Sequence, residues 1–325
     1  MPSTFIGTPR FALITPSYRN DLDLAIDLCS SIDRHVTGDY EHIVIVPQRD
    51  IALFKPLESA RRRVVSETKL LRTHGLFPLP VPTQLKLPFM RPIKFRQQWW
   101  CRGVGRVSGW VTQQIIKLSA VDLTSAPFLI FIDSDVILIR SLDLATLLTA
   151  SGASYLHQSP MRAALTKHQH WYRAARKLLT VNDESAPLHN YIGNLIVWRA
   201  AIVKALQARL TTLHHEPWQR AVARTRDFSE YMLYGVYASE VHPAADAHVF
   251  KSSELTCSVW TSKGTLGAED IAKGILPGHV ALHLQSTLPL LIKERRSLCR
   301  KALEQDEAQQ RISDAGLADA AMVAS

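Results

Sequence analysis

The sequence predicts an α/β fold, a mainly parallel central sheet with helices on both faces. Three observations predict it. Short, almost wholly apolar runs recur at 11–15 (FALIT), 42–46 (HIVIV), 128–132 (FLIFI) and 194–198 (NLIVW), as expected of strands buried on both sides. Segments of helical period alternate with them through the first half of the chain. The composition, 46% hydrophobic and 21% charged, is that of a soluble globular protein and excludes disordered, collagen-like and disulfide-scaffold classes.

Taken in order, the first strand is closed by Pro16 and the second by Pro47. Between them, residues 21–34 place Leu24, Ile26, Leu28 and Ile32 at helix-like spacing behind an acidic first turn. A helical turn is expected at 50–54 and a short strand at 63–65. Residues 110–123 predict a strong helix with Val111, Ile115, Leu118 and Val121 on one face. The run 128–132 is the most hydrophobic strand and leads straight into Asp133-Ser134-Asp135; apolar residues continue through 136–139. A helix is then expected at 142–148, a strand at 153–156 and a basic helix at 163–179. The strand at 194–198 precedes helices at 200–213 and 228–237, and a late strand is expected at 280–284. These elements predict one domain over 1–290, with a Pro-rich, basic, aromatic insertion at about 74–108, then a C-terminal helix and a frayed, Ala-rich tail within 291–325.

The N-terminus is too polar for a signal peptide, and no apolar run approaches the ~20 residues of a membrane span. Cys29, Cys101, Cys257 and Cys299 are scattered, without zinc-binding or paired spacing. A reducing, cytoplasmic setting is the expectation. The net charge of +9 is local. Residues 55–117 hold thirteen Lys and Arg against Glu58 and Glu67, a local +11 that leaves −2 for the rest. The triplet Arg61, Arg62 and Arg63 is expected on the rim of a site for anionic partners. Pro78, Pro80, Pro82, Pro88 and Pro92 share this region with Trp99, Trp100 and Trp110, which suggests a binding loop whose tryptophans can stack on a sugar. Nucleic acid is not the expected partner, because no helix-turn-helix, RNP or zinc-finger pattern occurs.

The chemistry centres on FLIFIDSDVILI. On a regular strand, carboxylates two apart point to the same side. At the carboxyl end of a buried strand they would face the crevice where ligands bind. Such a pair repels itself and calls for a divalent cation, Mn²⁺ or Mg²⁺ by oxygen preference, which in turn holds a diphosphate. One helix upstream, Gln113, Gln114 and Lys117 form a polar set on an apolar helix, Gln113 and Lys117 sharing a face. Lys117 can meet a phosphate as a point charge.

The order of these features resembles the GT-A-type glycosyltransferases that use nucleotide sugars, particularly the glycogenin-like branch and related bacterial polysaccharide enzymes. The match runs through Thr15 and Tyr18 of LITPSY, Lys117-Leu118, Asp133-Ser134-Asp135, Asn190, Gly193 and Asn194 of HNYIGNLIVW, Glu230 of FSEYMLYG and His283 of ALHLQS. It spans roughly 11–286. The Asp-Gln dyad and the Lys-Pro-Trp after the histidine of that branch are absent here. The resemblance implies a GT-A-like (Rossmann-like) fold and transfer of a sugar from a nucleoside diphosphate sugar to a glycan or lipid-linked acceptor, in bacterial surface polysaccharide biosynthesis. Thr15 and Tyr18 would hold the base, and Gln114, Lys117, Asn190, Gly193 and Asn194 would line the donor. Asp135 and His283 would ligate the metal, with His279 the competing ligand, and Asp133 would reach the ribose or the metal and its waters. Glu230 would be general base in an inverting enzyme or position the sugar in a retaining one. Peripheral contact with the anionic inner membrane is a further expectation. Two other readings compete: a haloacid-dehalogenase-like phosphatase, whose first aspartate is a nucleophile, and a non-catalytic carbohydrate-binding protein.

Overall fold

A computed structural model describes residues 10–80, 84–85, 93–94, 97–182, 187–242, 247–260 and 266–323. Of the insertion noted above, Pro82, Lys86, Pro88, Arg91, Pro92 and Arg96 lie outside the described residues. The chain forms two compact units, each assembled from separate stretches. One comprises Met1–Arg19, Gly38–Asp133 and Asp143–Ser253; the other comprises Asn20–Thr37, Ser134–Leu142 and Glu254–Ser325.

The first unit carries the central sheet. Its strands lie in the order Leu195–Arg199, Phe128–Ile132, Phe11–Pro16, Tyr40–Val46, Arg62–Ser66. The last four are mutually parallel, and Leu195–Arg199 runs antiparallel on the edge. The sheet is the mainly parallel α/β architecture that the apolar runs predict. Ala12, Ile14, Ile43, Ile45, Leu129 and Phe131 lie in one core with the apolar faces of helices Gly109–Ser119, Thr166–Leu178, Ala200–His214, Trp218–Arg224 and Glu230–Val236. Residues of the opposite face, Leu13, Val44 and Ile130, are also fully buried, which is why these strands show no polar alternation.

Trp198 is the wedge of this core. Its ring lies 4.4 Å from that of Phe131 and stacks on Tyr234 at 4.5 Å. The Tyr234 hydroxyl accepts from the Arg199 N–H (2.8 Å), so its own proton goes to His248 Nε2 (2.9 Å). On the other side of the same helix, the Tyr191 ring lies directly on Gly235. The Tyr191 hydroxyl is tied at 2.7 Å to Ser239 and at 3.0 Å to Gln158.

The basic triplet is not a rim. Arg62 is buried and donates to His42 Nδ1 (2.8 Å) and to the Leu57 carbonyl. Arg63 pairs with Glu41 at 3.0 Å and donates to the Leu123 carbonyl. Arg61 is exposed and lies over the Tyr40 ring. Two of the three guanidiniums thus fasten the Arg62–Ser66 strand to its surroundings: Arg62 because a buried arginine must find acceptors, and the part-exposed Arg63 through its ion pair with Glu41.

The second unit contains helix Leu22–His35, a three-stranded sheet in the order Val136–Leu138, Ala281–Leu284, Thr256–Val259, helix Ala268–Gly274 and the long helix Ile292–Val323. Its core gathers Cys257, Ile271, Ile275, Leu282, Leu284, Leu288 and Ala302. Arg140 ties it together by donating to the carbonyls of Leu276 and His279 and to Asp306 at 2.6 Å.

The apolar residues 136–138 form a separate strand that pairs antiparallel with Ala281–Leu284, after the chain turns at Ser134 and Asp135. Two local expectations change. Residues 142–148 form a two-residue strand and a 3₁₀ turn, since the Asp143 side chain accepts from the Ala145 N–H and Leu148 is extended. The final helix continues to Val323, through much of the stretch expected to fray. None of the four cysteines forms a disulfide. Among the described residues, no helix is long and apolar enough to cross a membrane.

Two outcomes follow from this packing. A Cβ at Gly235 would sit 2.1 Å from the Tyr191 ring, and that ring is held at its hydroxyl. Gly235→Ala is therefore expected to cost about 1–3 kcal/mol by overpacking, read by urea unfolding, with Tyr191→Leu in the same background recovering part of the loss. The second outcome concerns pH. Full burial, with the Arg62 charge adding to it, holds His42 down at about 3 against an ordinary 6.5. Its ring stays neutral in the fold while the unfolded chain takes up a proton below pH 6.5. Stability is complete above that pH and falls as the pH drops toward 3. His248, lowered by burial to about 4, acts in the same direction. Between pH 6.5 and 5, His42 alone should remove about 2 kcal/mol. The pH slope of unfolding free energy should flatten by about that amount in His42→Gln.

Candidate active site

The carboxyl ends of the parallel strands collect the residues of interest. Asp133 follows Ile132, and Ile132 is opposite Leu195 in the antiparallel pair. Residues 133 and 194 therefore share one end of the sheet. Ser108 caps helix Gly109–Ser119 by accepting from the Val111 N–H, and this helix carries Gln114 and Lys117 one turn apart, both buried.

Lys117 is the centre of the cluster. Its ammonium lies 3.1 Å from Asp133 Oδ1, 3.1 Å from Glu230 Oε1 and 2.9 Å from the Tyr231 hydroxyl. The Tyr231 hydroxyl accepts a hydrogen bond from the ammonium, and the two carboxylates flank it as ion pairs. Burial alone would lower the Lys117 pKa, but Asp133, Tyr231 and Glu230 together hold it well above the usual lysine value. Burial raises the Glu230 carboxyl, with Lys117 opposing that rise. The Tyr231 hydroxyl is also raised by burial. Gln114, rather than Gln113, belongs to this face: its Oε1 accepts from the Glu230 N–H (3.3 Å) and its amide donates to the Trp110 carbonyl. The sequence suggested that Lys117 meets a phosphate as a point charge; in the fold it is an interior charge paired with two carboxylates.

The other expected donor-binding residues are placed as follows. Thr15 is fully buried on the first strand. Arg62 donates to His42 Nδ1, so the neutral ring carries its proton on Nε2 and gives it to Thr15 Oγ1 at 3.0 Å. The Thr15 side chain is thus a packing group and not an accessible base contact. Tyr18 is 41% exposed. The adjoining Arg19 binds the buried Asp50 carboxylate with its backbone N–H (3.1 Å) and its guanidinium (2.8 Å), which pins the turn that follows the first strand. Asn190 is buried and its Oδ1 meets His168 and the Ile192 N–H. At Gly193 a Cβ would lie 2.9 Å from the Ile196 side chain. Asn194 is buried at the sheet end.

Asp135 and His283 lie in the other unit. Val136 is opposite His283 in the antiparallel pair. Asp135 Oδ2 is 3.5 Å from His283 Nε2 and accepts from the Ser286 N–H at 2.7 Å. Burial would raise the Asp135 carboxyl, but the His283 contact and the Ser286 N–H outweigh it and hold the carboxyl below its usual range. His279 is unsuited to the ligand role: its Nδ1 accepts from the Leu276 N–H, and Arg140 adjoins it and opposes positive charge there. Among the described residues no group of three His, Cys, Asp or Glu is close enough to hold a metal ion. Asp135 and His283 supply two adjacent, chemically suitable donors, and the buried His283 Nδ1 lacks a partner. This pair fits one side of a divalent-cation shell, with the remaining positions left to other oxygens. The chain turns between the two aspartates, so strand alternation does not align them as the motif suggested.

Two contributors were missed in the sequence. Tyr231 adjoins Glu230, but nothing distinguishes it from the other aromatic residues of FSEYMLYG. Asp50 gives no signal at all, since its partner Arg19 lies 31 positions away.

With this geometry in hand, the chain can be placed. Residues 14–268 match the family described as "Family of unknown function (DUF6492)", and the protein belongs to that family. None of the curated proteins compared with it matches in sequence. Among solved structures, mouse xyloside xylosyltransferase 1 in its apo form matches with a TM-score of 0.46 and 13% identity, over 86% of this chain and 99% of that one.

Removing the central cation should be costly. Lys117→Met would leave the buried Glu230 without its counter-charge, and the half-buried Asp133 with it, and is expected to cost about 3–5 kcal/mol. Equilibrium unfolding in urea measures this, and Lys117→Met combined with Glu230→Gln should recover part of the loss.

Proposed function

We propose that this protein is a nucleotide-sugar-dependent glycosyltransferase of the GT-A type. The observation that carries the reading is the Lys117–Asp133–Glu230–Tyr231 cluster at the carboxyl end of the parallel sheet, where α/β proteins bind ligands. A buried carboxyl of raised pKa beside a fixed cation is an arrangement suited to proton transfer.

The residues divide the work by position. Glu230 takes the proton of an acceptor hydroxyl if the reaction inverts the anomeric centre, and positions the donor sugar if it retains it. Lys117 keeps Glu230 and Asp133 in place and contributes positive potential near the departing diphosphate. Asp133 presents a carboxylate at the sheet end for a ribose hydroxyl or a metal-bound water. Tyr18, exposed after the first strand, is a base contact, and Asn190, Gly193 and Asn194 border the donor sugar. Asp135 and His283 would hold Mn²⁺ or Mg²⁺, with His283 rather than His279 as the imidazole. When bound, such an ion supplies Lewis-acid neutralisation of the diphosphate. The acceptor is a glycan or a lipid-linked sugar of bacterial surface polysaccharide synthesis, made at the cytoplasmic side.

Turnover of a panel of nucleoside diphosphate sugars, with and without Mn²⁺, tests this. Metal-dependent release of nucleoside diphosphate is expected, reduced by about 10²–10⁴-fold in Glu230→Gln if Glu230 is the base, and abolished in Asp135→Ala. Metal-independent activity, or full activity in Asp135→Ala, would remove the metal role. Release of phosphate from simple esters without donor turnover would favour a phosphatase instead.

A further inference from the structure

We propose that the outer row of the three-stranded antiparallel sheet is a docking surface for an anionic lipid bilayer. This sheet consists of Leu76–Pro78, Trp99–Cys101 and Gly105–Val107. Its register sets Phe77 opposite Trp100 and Trp100 opposite Arg106. One face is core: Leu76, Trp99, Cys101 and Val107 are each at most 2% exposed. The other face, where strand alternation ordinarily puts polar residues, presents Phe77 at 41% and Trp100 at 40% exposure. Their ring centroids are 6.4 Å apart, so the two form one aromatic patch.

The segment that carries this patch has charge of a single sign. Residues 68–107 contain eight Lys and Arg and no Asp or Glu. Of these, Lys69, Arg72, Arg102 and Arg106 are exposed. The surface proposed here is Phe77, Trp100, Arg102 and Arg106. A soluble polyanion would reward the arginines alone. An anionic bilayer rewards both features: tryptophan and phenylalanine settle at the headgroup level, and each nearby cation gains from the negative surface potential. The pairing of exposed aromatic rings with exposed arginines therefore favours a membrane over a free polyanion. The proposal does not depend on the transferase reading.

The test uses the full chain and vesicles of phosphatidylcholine with about a third phosphatidylglycerol, against pure phosphatidylcholine, in co-sedimentation at physiological salt. Binding to the anionic vesicles is expected, with quenching of tryptophan emission by lipids brominated near the headgroup. Phe77→Ser with Trp100→Ser should weaken it about tenfold, and Arg102→Glu with Arg106→Glu by roughly thirtyfold or more. Both pairs should keep the wild-type melting temperature. The proposal is overturned if wild-type protein ignores anionic vesicles. It is equally overturned if the aromatic pair variant binds them undiminished, or if brominated lipid leaves the emission unquenched. Retention on heparin without vesicle binding would assign the patch to a soluble polyanion. Should the aromatic variant melt early, the quenching of wild-type protein still decides the matter.

Discussion

The first unit is organised around one buried ammonium. Lys117 draws together a helix, the end of a strand and the start of a second helix through Asp133, Tyr231 and Glu230. Desolvating a charge costs several kcal/mol, and the interior repays this only where every donor finds an acceptor. Around Nζ, one hydrogen bond to Tyr231 and two ion pairs at 3.1 Å supply the compensation and hold these pieces together. Gln114 extends the constraint by accepting the Glu230 N–H.

The aromatic packing beneath makes this possible. Trp198 stacks on Tyr234 and meets Phe131, which comes from the strand that ends at Asp133. Tyr191 lies against Gly235 on the helix that Glu230 opens. Side chains of the same helix therefore serve the core and the charged cluster together. This coupling raises the Glu230 pKa, since the carboxyl is buried by the same packing that positions it. The second unit repeats the theme on a smaller scale, with Asp135 held by His283 and the Ser286 N–H.

Much of this was legible in the sequence. FALIT, HIVIV, FLIFI and NLIVW each became a strand of the central sheet, because a strand buried on both faces has to be apolar along its whole length. Lys117, Asp133 and Glu230 were singled out and do meet. Other features misled. The Arg61-Arg62-Arg63 run looked like a solvated rim, yet Arg62 and Arg63 are fasteners, since charge in a sequence carries no sign of burial. Thr15 looked accessible after its strand and is instead locked to His42. The Asp133–Asp135 spacing implied a shared face, but the strand ends at Ile132 and the chain turns at Ser134 and Asp135.

By itself, the sequence determined the class of fold, the position of most strands and helices, and the short list of charged residues capable of chemistry. These depend on local periodicity and on apolar runs that hold whatever the rest of the chain does. Only the tertiary structure decided which residues share a cluster and what each does there. Lys117 and Tyr231 are 114 positions apart, and Asp135 and Ser286 are 151 apart. No local pattern encodes such pairings; they arise when chain segments far apart in sequence are packed together and their buried polar groups must find one another.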